Sequence, residues 1–122
     1  MKSGWMTHKG ARVLYLDISN FGHDFESVKS EIDMVHKVVV KQPPKSIAEL
    51  INAQNTVVSK KLAELFKKNS ETSKHHIRKI AVIGATKLTN IIVQAIIYFS
   101  GVNIRTFDDV EKAKDWLADL TV

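Results

Sequence analysis

Apolar runs alternate along this chain with apolar residues at helical spacing. The clearest run is 80–83, Ile-Ala-Val-Ile, which stops at Gly84 and is typical of a strand covered on both faces of a sheet. Apolar residues then recur every three or four positions over 88–99, which predicts a helix ending near Gly101. A strand over 102–106 follows, and this strand–helix–strand unit predicts parallel pairing.

The same alternation predicts the elements of the first half. Residues 12–18 form the first clear strand, and the apolar spacing over 25–39 predicts a helix that ends before Pro43 and Pro44. Residues 46–52, SIAELIN, are ambiguous, because their Ala, Glu and Leu favour a helix whereas their short length and alternation favour a strand. The strand–helix order of the whole chain favours the strand.

Two further helices are predicted downstream. The first is expected to have Asn55 or Thr56 as its N-cap and to give way to a polar loop over 69–76. The last is predicted to start at Asp108, with Glu111 completing a capping box. Its buried side is expected to consist of four apolar residues: Val110, Ala113, Leu117 and Leu120.

These elements predict an α/β fold with a four- to five-stranded, mainly parallel sheet and flanking helices. Residues 1–10 are interpreted as flexible or as a short edge strand that turns at Lys9-Gly10. We expect one domain over residues 1–122, because no linker, repeat or low-complexity segment interrupts the pattern.

Composition narrows the classes of protein. The chain lacks cysteine, which excludes disulfides, thiolate catalysis and cysteine–zinc sites. Its net charge of +5 is modest and spread along the chain. We therefore do not expect nucleic-acid binding, for which Lys60, Lys61, Lys67, Lys68 and the run 74–79 would be the candidates. No apolar stretch is long enough to span a membrane and no secretory signal is seen, so we expect a cytoplasmic protein.

Polar residues follow the predicted strands, where open parallel sheets usually bind ligands. Gly84, Thr86 and Lys87 could bind an anion, since glycine allows close approach, a helix start attracts anions and lysine adds charge. A tight turn capped by Thr86 is the competing interpretation, because the motifs of phosphate loops are missing. Asp17 either joins this ligand site or bonds the N–H groups of its own loop.

Thr56 and Ser59 fall at the expected start of the second helix. A phosphate on either hydroxyl would be stabilised by the helix dipole, while helix capping is the competing interpretation. No nucleophile–base pair or H-E-x-x-H motif emerges from the sequence. We therefore expect no enzymatic activity, no cofactor and no metal.

The chain resembles the STAS superfamily of sulphate-transporter and anti-sigma-factor-antagonist domains, and most of all its small SpoIIAA-like members. The similar segments are ARVLYLDIS (11–19), NAQNT (52–56), KIAVIGATKL (79–88), AIIYFSGVNIRTFDD (95–109) and EKAKDWL (111–117). The resemblance implies a domain that binds a partner kinase and is switched by phosphorylation at a helix N-terminus. At the place of the family's D-S-x-G-like turn this chain has Asn55-Thr56-Val57-Val58, without the aspartate and the glycine.

We therefore predict a non-enzymatic regulatory domain that binds a protein partner, such as a regulatory kinase or an anti-sigma-like protein. Asn55, Thr56 and Ser59 are the predicted contact residues, with Thr56 as the first candidate phosphoacceptor and Ser59 as the second. The alternative is a domain that binds a small ligand or an anion through Asp17, Gly84, Thr86 and Lys87. Apolar Val93, Ile97 and Tyr98 lie outside the core stripe of the predicted third helix, and they would suit a homodimer.

Overall fold

Strands and helices follow one another in the described part of the chain largely in the order that the apolar pattern predicts. The computed structural model describes residues 2–84, 86 and 101–119. The strands are β1 (Gly4–His8), β2 (Ala11–Asp17), β3 (Ile47–Asn52), β4 (Ile77–Ile83) and β5 (Ile104–Phe107). The described helices are α1 (Phe25–Val39), α2 (Lys60–Ser73) and α3 (Val110–Ala118).

The five strands form one sheet in the order β1-β2-β3-β4-β5. β1 pairs antiparallel with β2, whereas β2, β3, β4 and β5 run parallel. The predicted α/β fold with a mainly parallel sheet is therefore confirmed, as is the edge strand near the N-terminus. Lys9 and Gly10 both have positive φ, 49° and 80°, as a type I′ hairpin turn requires.

β3 lies at the centre of the sheet, which confirms that residues 46–52 form a strand. Five of its six residues are buried, because strands flank it on both sides and helices cover both faces. This environment overrides the helix preference of its Ala, Glu and Leu residues, since strand formation depends chiefly on packing.

The ladder between β3 and β4 contains an irregularity near its start. Ile47 is level with Ile77, but the next residue, Ala48, is level with Lys79. β4 therefore carries one more residue than β3 over this step, as in a β-bulge. Beyond it the register is regular, and Glu49 is level with Ile80.

The core is divided between the two faces of the sheet. α1 and α2 cover one face, here called the α1/α2 face, and α3 covers the other, the α3 face. The larger cluster, on the α1/α2 face, includes Leu16, Ile32, Val35, Ile51 and Val82. The smaller cluster, on the α3 face, includes Val13, Leu50, Ala81, Ala113 and Leu117.

The bounds of α2 differ from the prediction at both ends. Ser59, and not Asn55 or Thr56, is its N-cap, since the Ser59 hydroxyl accepts a hydrogen bond from the Leu62 N–H. The helix continues to Ser73 through the segment 69–76 that was predicted to be a loop. Asn69, Ser70 and Ser73 continue the inward stripe begun by apolar residues of α2, and their polarity hid the helical spacing.

α3 also departs from the predicted details. Its N-cap is Asp109 and not Asp108, because the Asp109 carboxylate accepts from the N–H groups of Glu111 and Lys112. Ala113 and Leu117 are buried as predicted, but Val110 is 38% exposed, since it opens the helix at its solvent end.

Other predictions are shifted or fall on parts of the chain that are not described. β5 begins at Ile104, two residues later than predicted. Gly101 has the expected left-handed backbone, with φ of 70°. The helix predicted over 88–99 and the residues Lys87, Leu120, Val93, Ile97 and Tyr98 lie outside the described residues. No helix of the described part is long and apolar enough to cross a bilayer.

Candidate functional site at the strand ends

The loops that follow β2 and β3 are joined into one surface, here called the rim, made of residues 17–24 and 52–59. Backbone N–H groups of Ile18, Asn20 and Gly22 donate in turn to the carbonyls of Asn52, Gln54 and Asn55, at 3.0, 2.8 and 3.0 Å. Val57 N–H returns a bond to the Gly22 carbonyl at 2.8 Å. The two loops thus continue the sheet ladder beyond its strands, which fixes the backbone of the rim.

Two asparagines allow the rim loops to turn. Asn20 and Asn55 have positive φ, 62° and 57°, a conformation that asparagine tolerates better than most residues. The Asn55 amide Nδ2 donates to the Asn20 Oδ1 at 2.8 Å. Asn55 is exposed, so this predicted contact residue has both a structural bond and an accessible surface.

Thr56 lies beneath the rim. It is 7% exposed, and its hydroxyl donates to the Ile18 carbonyl and accepts from the Phe21 N–H. Both capacities of the hydroxyl are therefore used in holding the two loops together. A kinase would reach Thr56 only after this part of the rim had opened.

Ser59 lies at the surface of the rim. It is exposed, and its hydroxyl caps α2 by accepting from the Leu62 N–H at 3.2 Å. A depression of about 40 Å³ lies beside it, lined by Gly22, His23, Phe25 and Val57 among others. Val57 is 47% exposed, so the rim offers an apolar side chain, a shallow depression and an accessible hydroxyl at one place.

Asp17 belongs to the base of the rim. Its carboxylate accepts from the Ser19 N–H at 2.9 Å and from the Ser19 hydroxyl at 2.5 Å, and Lys2 Nζ lies 3.5 Å away. Partial burial by itself would raise the pKa of Asp17, but the bonds from Ser19 and the charge of Lys2 lower it. The charged form of Asp17 is thus favoured.

Gly84 directly follows β4 at the same edge of the sheet. Its φ is 78°, and a Cβ placed on it would lie 2.4 Å from the Gln54 Cγ. Glycine is therefore needed here for the approach of the loop after β3, which is the turn interpretation of this segment. Two strand spacings, on the order of 10 Å, separate Gly84 on β4 from Asp17 on β2.

The strand-end anion site stays a prediction. Thr86 is exposed and Lys87 lies outside the described residues, so their convergence with Gly84 is not established. Asp17, which favours its charged form, would repel an anion that approached it. Of the two predicted groups, the structure brings together Asn55, Thr56 and Ser59.

The basic residues of the chain do not share one surface. Arg78 and Lys79 turn toward α3, where their side chains donate to backbone carbonyls at the C-terminal end of that helix. Lys60, Lys61, Lys67 and Lys68 are exposed on α2, across the sheet. Lys79 is fully buried, which removes it from the residues of the run 74–79 that could contact a nucleic acid.

Sequence reasoning passed over one residue on β3 that the structure makes conspicuous. Glu49 is 6% exposed, on the α1/α2 face, and burial raises the pKa of its carboxyl to about 7. The signal was a single acidic residue within an otherwise apolar central strand, where both side-chain directions are buried.

Comparison with known proteins places the chain in a family. The SpoIIAA-like family matches residues 6–118, so the chain belongs to the SpoIIAA-like proteins, as its resemblance to STAS domains predicted. A similar solved structure is an uncharacterised protein of the DUF3478 family from Shewanella loihica, which has a SpoIIAA-like fold. It aligns with a TM-score of 0.70 and 17% identity over 95% of this chain and 92% of that one.

That likeness shows the fold alone, because the identity is low. Among curated proteins no match was found.

Proposed function

We propose that the protein is a non-enzymatic regulatory module of the anti-sigma-factor-antagonist type, which docks a protein partner through the rim. The observation that carries the proposal is the depression beside Val57 and Ser59. Its volume of about 40 Å³ has room for one side chain of a partner. The backbone ladder holds the rim in place, so docking requires little ordering and loses little entropy.

The charges around the depression indicate what the partner carries. Lys60 and Lys61 follow Ser59, and the first turn of α2 contains no acidic residue. The start of a helix also carries a partial positive charge. An apolar side chain flanked by carboxylates would complement this surface, since opposite charges favour encounter and fix the register of docking.

In this proposal phosphorylation acts first at Ser59, which is exposed, and second at Thr56, which is buried. A phosphate on Ser59 would lie at the start of α2 and add about −1.5 to −2 charges. It would offset Lys60 and Lys61 and repel an acidic partner. The helix dipole would stabilise the modified form, so the modification would change docking without unfolding the helix.

The test compares two exposed valines on opposite sides of the sheet. Val57→Asp places a carboxylate in the rim, while Val110→Asp places one at the start of α3; the two valines are 47% and 38% exposed. Each tagged variant is used to capture proteins from native lysate, and recovery is quantified by mass spectrometry.

We expect at least one protein to be captured by the wild type and by Val110→Asp but reduced about ten-fold by Val57→Asp, about 1.4 kcal/mol of binding free energy. Ser59→Asp should reduce the same protein and Ser59→Ala should not. If Val57→Asp and Val110→Asp capture the same proteins as the wild type in equal amounts, the rim is not the docking surface.

A further inference from the structure

A cavity of about 100 Å³ lies between the sheet and the helices α1 and α2. Most of its described lining is apolar, and includes Leu16, Val35, Ile51, Phe66 and Val82. A cavity that holds one water needs only about 10–15 Å³, and an engineered apolar cavity of about 150 Å³ binds benzene. This space is partly open and its volume lies between those two values, nearer to the cavity that binds benzene, so it suits a small organic molecule better than a single water.

Glu49 projects from β3 as part of this lining. No hydrogen bond or ion pair connects its carboxyl to any residue in the described part of the chain. Glu31 provides the contrast, since it is equally buried but its carboxylate accepts from the Lys2 N–H, the Ser3 N–H and the Ser3 hydroxyl. A carboxyl without partners is costly to bury, so Glu49 has a capacity for hydrogen bonding that the described residues leave unused.

Asn69 is a second unused group in the same lining, contributed by α2. Its amide Nδ2 is buried and has no acceptor within the described structure. An unsatisfied buried donor costs about 1–3 kcal/mol. β3 and α2 thus each contribute one residue with an unpartnered polar group to the described lining of one largely apolar space. An apolar residue at either position would cost less free energy to bury if the position contributed only to packing.

The chemistry of the two groups selects among ligands. An ammonium would pair with Glu49 but would oppose the N–H donor of Asn69, and a carboxylate would suit Asn69 but oppose Glu49. A hydroxyl accepts from Asn69 and either donates to the ionised Glu49 or accepts from its protonated form. The rest of the ligand must be mainly apolar, because most of the remaining described lining is apolar, with His36, Ser70 and Ser73 as its other polar members.

We propose that this cavity binds a small uncharged molecule of roughly benzene size that carries a hydroxyl group, such as a phenol or a cyclic alcohol. The hydroxyl bonds to Glu49 and Asn69, and the hydrocarbon ring fills the space against Val35, Phe66 and Val82. This site lies under α1 and α2 and does not depend on the rim.

The experiment is a titration of the isotope-labelled protein with four probes of similar size, followed by backbone amide chemical shifts. The probes are phenol, benzene, benzoate and benzylammonium. We expect phenol to bind about ten-fold more tightly than benzene, which corresponds to about one good hydrogen bond, and the two ions to bind more weakly still. The shifted amides should include those of Ile51, Phe66 and Val82.

Variants separate the polar groups from the space itself. Glu49→Leu and Asn69→Leu should each reduce the preference for phenol over benzene to less than about three-fold. Glu31→Gln, a change at a partnered glutamate of similar burial, should leave that preference intact. Ser73→Leu fills the cavity from α2 and should abolish binding of both probes.

Three outcomes would overturn the proposal. These are the absence of saturable binding by the wild type, an undiminished phenol preference in both leucine variants, and shifts confined to the rim. Val57→Asp should leave phenol binding unchanged, so a failure of rim docking and a failure of this site are told apart.

Discussion

The two faces of the sheet treat buried charge in opposite ways. On the α3 face Lys79 is fully buried, and its ammonium donates to the carbonyls of Trp116 and Asp119 at the end of α3. It also lies 4.7 Å from the centre of the Trp116 ring. On the α1/α2 face Glu49 is almost as deeply buried, but the described residues offer it no partner.

The difference shows what a satisfied and an unsatisfied charge mean for a fold. The C-terminal end of a helix carries a partial negative charge and carbonyls that lack donors within the helix. The end of α3 therefore replaces the hydrogen bonds that the Lys79 ammonium would make to water. Glu49 instead shifts its equilibrium toward the neutral form, since burial raises its pKa to about 7. Lys79 therefore stabilises the packing of α3 on the sheet, whereas the Glu49 carboxyl is the group that we propose binds a ligand.

The largest expected effect on stability comes from removing Lys79, the buried charge that has partners. Lys79→Ala removes a fully buried side chain together with its two hydrogen bonds to carbonyls at the end of α3, so we expect a loss of about 4 kcal/mol in the free energy of unfolding. Chemical denaturation measures the loss. Lys112→Ala, at an exposed lysine of the same helix, should cost less than about 0.5 kcal/mol. A loss below about 1 kcal/mol for Lys79→Ala would show that its bonds to α3 contribute little.

A somewhat smaller effect is the pH dependence of stability that Glu49 causes. The folded pKa of Glu49, about 7, lies above its ordinary value of 4.5, so the folded state holds the proton more tightly than the unfolded state. The contribution of Glu49 is fully present below about pH 4.5 and is lost as pH rises through about 7. The total is on the order of 3 kcal/mol.

Denaturation of the wild type and of Glu49→Gln across pH 4 to 8 measures this contribution. The free energy of unfolding of Glu49→Gln should increase relative to that of the wild type as pH rises, because glutamine cannot ionise. Glu31→Gln is the control at a partnered glutamate and should not reproduce that gain, since the Glu31 carboxylate accepts three hydrogen bonds. Parallel pH curves for the wild type and Glu49→Gln would mean that Glu49 has a partner in solution.

The smallest effect compares two alanines, one on each face. Ala81 is fully buried on the α3 face, and Ala53 is 5% exposed and lines the cavity. Ala81→Val should cost about 2 kcal/mol because it overpacks a filled core, whereas Ala53→Val should change stability by less than about 0.5 kcal/mol. Thermal denaturation of both variants gives the difference, and equal losses would indicate that the two faces are packed alike.

Much of the fold could be predicted from sequence because the sheet is covered on both faces. Apolar runs such as 80–83 mark buried strands directly, and the strand–helix alternation decided the ambiguous segment 46–52. The end of α2 could not be predicted in this way. Asn69, Ser70 and Ser73 occupy inward positions of that helix, and a helix that faces a cavity with polar residues has no apolar stripe to detect.

The candidate site was harder to predict than the fold. The sequence indicates that Thr56 and Ser59 lie near the strand ends, but not that Thr56 is buried between two loops while Ser59 caps the helix. That distinction depends on bonds from Thr56 to Ile18 and Phe21, which are distant along the chain. Glu49 was equally visible in the sequence, but its meaning depends on the absence of partners in the described structure, which no local pattern predicts.

The extra residue at the start of β4 has a consequence for the two buried charges. If Ile47 and Ile77 were followed by an unbroken ladder, Glu49 would stand level with Lys79, on the same side of the sheet, at the distance of an ordinary cross-strand ion pair. The extra residue shifts the register by one position. The Lys79 side chain therefore points to the opposite face of the sheet, and Glu49 is level with Ile80 instead. A single inserted residue thus prevents Lys79 from acting as the counter-ion of Glu49, whose carboxyl has no other partner among the described residues.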